Sequence, residues 1–168
     1  SCVSDDGSYR PVSFWQETVP VQPTEAMTDD TRCDVVVVGG GYTGLSTAYE
    51  LKRAAPDLDV VVLERAVVGH GASGRNGGFL MPLLGWNLCR TVRSLGRERA
   101  ARGYRVMYDA IDHTRAIIRD ENIDCDLEDV GYLLLATCDK RHEHVREEAA
   151  LGRELGFGYE YLEGDALR

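Results

Sequence analysis

Three glycines in the spacing Gly39-x-Gly41-x-x-Gly44 are the first residues here that could do chemistry. At such points a bare backbone can turn sharply, approach a pyrophosphate and let a helix press onto a sheet. With 18 glycines in 168 residues, chance alone supplies roughly 0.2 such matches, so the flanking sequence has to carry the argument. It does. The run CDVVVV precedes the glycines, LSTAYELKRAA follows them, and DVVVLE comes next. Gly40, Tyr42 and Thr43 fill the variable positions, and Thr43 brings a hydroxyl to the start of the helix. Unpaired N–H groups and the helix dipole at that point favour a diphosphate.

Glu64 stands 20 residues beyond Gly44, at the end of DVVVLE, with Arg65 directly after it. A carboxylate there accepts hydrogen bonds from both adenosine ribose hydroxyls and repels a 2′-phosphate. The plainer alternative is a strand-end acid facing water. Taken with the glycine turn, the acid points to FAD or NAD and away from NADP. A third segment, HGASGRNGG over residues 70–78, adds glycines together with Ser73, Arg75 and Asn76. Such a backbone, small and rich in donors, can lie against a phosphate or a flat ring.

No acid–base dyad or activated nucleophile is apparent, since Ser73 has no evident base. His142 and His144 flank Glu143 in a charged segment, and an i, i+2 pair does not share a helix face. His113 is expected at a helix surface. His70 is the one histidine beside the glycine-rich loop, where it could reach a bound cofactor. The five cysteines Cys2, Cys33, Cys89, Cys125 and Cys138 form no CxxC pair and suggest neither a disulfide framework nor a zinc site. They are expected as reduced thiols of a cytoplasmic protein.

The elements that must position these residues follow from pattern. CDVVVV and DVVVLE are short β-branched runs of the kind buried on both faces of a parallel sheet. The helix between them, carried by Leu45, Ala48, Tyr49, Leu51 and Lys52, should close before Pro56. Strand, glycine turn, helix and strand make a right-handed βαβ unit. Residues 65–90 are expected as coil. A helix should run from Leu95 to about Asn122, with Tyr104, Met107, Tyr108, Ile111 and Ile118 as its buried stripe. A strand is expected at Tyr132–Ala136, a charged helix over residues 139–155, and another strand in YEYLEG, with Asp165 capping a new helix at Ala166.

Organisation and composition bound the rest. Residues 1–31, with Pro11, Pro20 and Pro23, read as an extended arm pinned by Phe14 and Trp15. The fold class is α/β: a Rossmann-like dinucleotide-binding domain over residues 32–124, then the beginning of an α+β substrate domain over 125–168. The chain starts with Ser, has Met27 as a candidate internal start, and stops one turn into an element, so truncation is expected. A balance of 19 basic to 28 acidic residues, net −9, speaks against nucleic-acid or anionic-membrane partners. No apolar run approaches the roughly 18 residues of a membrane span.

On VVVVGGGYTGLSTAYEL, VVLE and GASGRNGG together, the chain resembles the D-amino-acid-oxidase-like family of FAD-dependent oxidoreductases. Within it, the chain is most similar to the group of gamma-glutamylputrescine oxidase and aminophosphonate oxidoreductases, as are the Phe14–Trp15 arm and IDCDLEDVGYLLLAT. The resemblance implies FAD as cofactor, with Gly39, Gly41 and Gly44 at the diphosphate and Glu64 at the ribose. It carries Ser73, Gly74, Arg75, Asn76, Gly77 and Gly78 past the diphosphate toward the isoalloxazine. It further implies oxidation of a C–N bond of a small amine or amino acid by hydride transfer to the flavin, with oxygen as electron acceptor. Relatives are longer, so the alternative is a truncated module that binds FAD or NAD without activity of its own.

Overall fold

A computed structural model describes residues 12–19 and 23–167. Expectations for the rest of the arm, including Cys2, Pro11 and Pro20, fall outside the described residues. The chain divides into two compact units between Phe79 and Leu80.

The first unit opens with a short helix, α1 (Phe14–Thr18), closed by a reciprocal cap between Ser13 and Gln16. Strand β1 (Val35–Val38), helix α2 (Tyr42–Ala54) and strand β2 (Val60–Leu63) follow as the expected βαβ unit. The strands are parallel, with Val35 opposite Val60 and Val38 opposite Leu63. Asp34 sets this register from below. Its Oδ2 accepts the Asp59 N–H at 2.9 Å while its own N–H donates to Asp59 O at 3.0 Å. Lys52 Nζ donates to the carbonyls of Pro56 and Leu58, which ties off the helix end before β2.

One expectation fails here. β1 alternates half-buried and exposed residues rather than burying both faces, and Val38 is 82% exposed. α2 covers one face of the sheet, and among the described residues of this unit no helix or strand covers the other. A depression of about 430 Å³, lined by Met27, Cys33, Val36, Val61 and Leu63 among others, marks that open face.

The second unit is helical. α3 (Leu88–Leu95), α4 (Arg97–Asp120) and α5 (Asp139–Glu154) pack around Leu88, Tyr104 and Phe157. Tyr104 and Ile111 of the expected α4 stripe are buried, and Met107, Tyr108 and Ile118 half-buried. α3 begins inside the stretch expected as coil over residues 65–90 and ends where the next helix was expected to start. The Asn87 side chain accepts the Arg90 N–H at 2.9 Å and starts it. The Glu148 carboxylate from α5 also accepts the Leu88 N–H at 2.5 Å, which accounts for a buried acid.

The two strands expected in this part do not form. Residues 132–136 are exposed and irregular, and YEYLEG over 159–164 forms no strand either, because a strand needs a ladder partner and neither has one among the described residues. Tyr159 instead packs against the core. Asp165 lies within a 3₁₀ turn, Gly164–Leu167, rather than capping an α-helix.

Candidate functional site

All fourteen residues singled out by the sequence lie in the first unit, at and just beyond the C-terminal ends of its two parallel strands. That edge is where open α/β sheets receive ligands. β1 ends at Val38, and Gly39 turns the chain with φ +104°, a conformation costly for any residue bearing a Cβ. Its N–H donates to Leu63 O at 2.7 Å, the last bond of the sheet. Gly40 is buried, and its carbonyl accepts the Gly69 N–H at 2.9 Å. Gly41 caps α2 in extended geometry, and a Cβ built there meets only the Ser73 side chain, its hydroxyl at 3.0 Å. Gly44 is the packing glycine. A Cβ there would lie inside the Gly39 carbonyl and 3.3 Å from Val37 Cγ1.

Glu64 is half-buried and bonded to the turn. Its Oε2 accepts the Gly40 N–H at 2.8 Å and its Oε1 the Ala66 N–H at 3.0 Å, so the carboxylate brackets the glycine turn from the end of β2. These bonds, that from Ala66 first and that from Gly40 second, hold its pKa below the ordinary 4.5. The Arg65 N–H adds a weaker pull on the same carboxylate, which has about four acceptor sites in all. Arg65, beside it, is exposed.

The glycine-rich loop folds back over the start of α2. Ser73, in a 3₁₀ turn at Ala72–Gly74, accepts the Tyr42 N–H on its hydroxyl at 2.9 Å. That N–H is one of the first-turn donors with no partner inside the helix. Asn76 Nδ2 donates to Tyr42 OH at 3.2 Å and to Ser73 O at 2.6 Å, while its Oδ1 accepts the Gly78 N–H at 2.7 Å. Arg75 Nε donates to His70 O at 2.7 Å, and this is how His70 enters the loop. Gly74 comes so close to Gly69 that a Cβ would overlap its carbonyl, and Gly77 packs beside Phe79. Thr43 is exposed, and its carbonyl accepts the Thr47 hydroxyl at 2.7 Å. The arrangement is a small cradle of backbone donors and hydroxyls at a helix N-terminus, with a carboxylate to one side. It suits an anionic group next to a diol.

Two partners were not foreseen. Ala66 shares Glu64 with Gly40, and Trp15 donates from its indole to Asn76 O at 2.8 Å. The aromatic arm gave a signal for the second; nothing in the sequence marks the first. Elsewhere the histidines make ordinary contacts. His142 meets Tyr161 and Glu163, and His144 lies 2.7 Å from Asn87 Nδ2. Among the described residues no cluster of three or more His, Cys, Asp or Glu could hold a metal, and no helix is long and apolar enough to cross a membrane.

Residues 34–168 match the model of the FAD dependent oxidoreductase family. Over 147 residues the chain is 37% identical to gamma-glutamylputrescine oxidoreductase of Escherichia coli, covering 87% of this chain and 34% of that protein. It is 32% identical over 137 residues to the "probable oxidoreductase OrdL" of Haemophilus influenzae, covering 82% and 31% of the two chains. The corresponding protein of Rhizobium meliloti is 34% identical over 156 residues, covering 89% and 34%. The chain thus spans about a third of the length of these relatives. No solved structure matches it. The chain belongs to the FAD dependent oxidoreductase family, whose members bind FAD.

Proposed function

We propose that this chain is the portion of a flavin-dependent amine or amino-acid oxidoreductase that holds the adenosine and diphosphate end of FAD. The observation that carries the reading is the cradle at α2. Gly41 carries no side chain at the start of the helix, Ser73 presents a hydroxyl 3.0 Å from where a Cβ would stand, and the Glu64 carboxylate lies to one side. The residues present therefore fit the group. The N–H groups of Thr43 and Gly44 in the first turn of α2 and the Ser73 hydroxyl would bind the diphosphate, drawn there by the helix dipole. Glu64 accepts from the ribose hydroxyls while its bonds to Gly40 and Ala66 fix the carboxylate in place. Gly74, Arg75, Asn76, Gly77 and Gly78 carry the loop along the cofactor toward its ring end, and Gly39, Gly40, Tyr42, Thr43, Gly44 and Arg65 shape the turn beneath it.

When bound, FAD supplies the hydride acceptor for oxidation of a C–N bond, with oxygen as final acceptor. The E. coli relative, an oxidoreductase named for gamma-glutamylputrescine, supports an amine or amino-acid substrate. Residues 32–124 then serve the cofactor and 125–168 begin the substrate domain. The acidic balance supports a small-molecule partner rather than nucleic acid or membrane. The free thiols of Cys33, Cys89, Cys125 and Cys138 support a reducing, cytoplasmic setting. The second reading is a module that binds FAD or NAD without activity of its own, which the same cradle supports.

Anaerobic mixing of the FAD-loaded protein with a panel of amines and amino acids tests the reading. Bleaching of the flavin band by one member supports the enzyme. Retained flavin that no member bleaches supports the binding module, and failure to retain FAD by folded protein overturns both.

A further inference from the structure

α1 stands outside the βαβ unit, yet it grips the cofactor loop at several points. Trp15 Nε1 donates to Asn76 O at 2.8 Å, and Gln16 Nε2 lies 3.5 Å from Gly69 O. The indole also lies over Gly78. A Cβ built there would stand 2.6 Å from Trp15 Cζ2, and Gly78 has φ +74°. A side chain at position 78 would therefore meet both backbone strain and the ring. Asn76 is the hub of the contact. Its carbonyl takes the indole N–H while its amide holds Ser73, Gly78 and the Tyr42 hydroxyl. Trp15 is thus two bonds from the first residue of α2.

The energetic logic runs in both directions. A five-residue helix does not persist alone in water, even with the Ser13–Gln16 cap, so α1 is held by docking. A loop with glycines at 69, 71, 74, 77 and 78 is costly to order, because glycine loses the most conformational freedom. A loop ordered in advance spares a ligand that cost. We propose that Trp15 is a positioning residue of the FAD site: it clasps the 69–78 loop in its cofactor-ready form. This rests on the cofactor reading above and extends it to the N-terminal arm.

The test combines FAD titration of the chain with hydrogen exchange of its 69–78 amides in the absence of FAD. It compares wild type with Trp15→Ala, Trp15→Phe and the control Trp86→Phe. Trp15→Phe keeps a ring over Gly78 but loses the N–H, a hydrogen bond worth about a fivefold change in an equilibrium. Exchange in the loop should quicken several-fold in Trp15→Ala and less in Trp15→Phe. The FAD dissociation constant should rise in the same order, by about tenfold or more in Trp15→Ala and up to about fivefold in Trp15→Phe. The fine structure of the bound flavin band should blur in Trp15→Ala and recover in Trp15→Phe. Trp86→Phe should match wild type in all three. Unchanged exchange overturns the clasp. Faster exchange with an unchanged dissociation constant overturns its role in cofactor binding. If folded wild type binds no FAD, the cofactor reading fails and the positioning role with it, while the exchange data report separately on the clasp.

Discussion

Gly44→Ala asks whether the close approach between α2 and the glycine turn is as tight as the geometry shows. A methyl at position 44 would sit about 1 Å inside the 3.0 Å that real Cβ atoms keep, and the obstacle is the Gly39 carbonyl rather than a movable side chain. Gly39 cannot easily yield. Its N–H is fixed to Leu63 O at 2.7 Å, and the next N–H is bonded to Glu64 at 2.8 Å. Either the turn breaks one of these bonds or α2 lifts off Val37. Overpacking costs about 1–3 kcal/mol where side chains can shift, and a rigid backbone obstacle puts this case at about 3 kcal/mol. For a unit of this size that lowers Tm by more than about 10 °C. Trp15 and Trp86 fall in different units, so fluorescence melting in a Trp86→Phe background reports on the first unit alone. Gly41→Ala is the comparison. Its φ of −92° suits any residue and its Cβ meets only a hydroxyl at 3.0 Å, so its melting should stay within about 3 °C of the parent. Equal shifts in the two variants, or none in Gly44→Ala, would refute the packing argument.

Glu64→Gln should lower both Tm and FAD affinity, because one of the N–H groups of Gly40 and Ala66 would then face an amide NH₂. Glu64 titrates below 4.5 in the folded chain, so its contribution is present above that pH and is lost as pH falls through the folded value. The Tm gap between wild type and Glu64→Gln should therefore hold from neutral pH down to about 5 and close only in more acid solution; a gap that closes between pH 6 and 8 would be wrong. Burial, with Glu148 beside it, pushes the Cys89 thiol up to about 11. Timed alkylation at pH 8 with mass spectrometry should therefore label exposed Cys125 and Cys138 well before Cys89. Tyr104→Phe removes the bond from its buried hydroxyl to Trp86 O at 3.0 Å and should cost about 1 kcal/mol in a denaturant titration. A neutral result there would mean that water takes the place of the hydroxyl at Trp86 O.

The βαβ unit was legible because each of its parts is local. A β-branched run, glycines at fixed offsets and a helix stopped by a proline fix φ, ψ and register without distant help. The same locality made the roles of Gly39 and Gly44 readable, since both act within six residues of each other. What the sequence did not show depends on partners far along the chain. Glu64 looked like a ligand acid or a solvated one, and its hold on Gly40 spans 24 residues. α3 was hidden because half its N-terminal capping comes from Glu148, 60 residues away. The strands expected at 132–136 and 159–164 had the right residue types, but a strand is a property of a pair. In the same way, β1 had the composition of a strand covered twice, whereas one layer covers it here.

The central claim is that the turn around Gly41 is a cofactor cradle, and FAD titration of wild type against Gly41→Val tests it most directly. Uptake is followed by flavin fluorescence and by the visible band that survives desalting. The account predicts saturable one-to-one binding by wild type and its loss in a Gly41→Val variant whose circular dichroism is unchanged. Equal uptake by the two proteins, or none by a folded wild type, would contradict it.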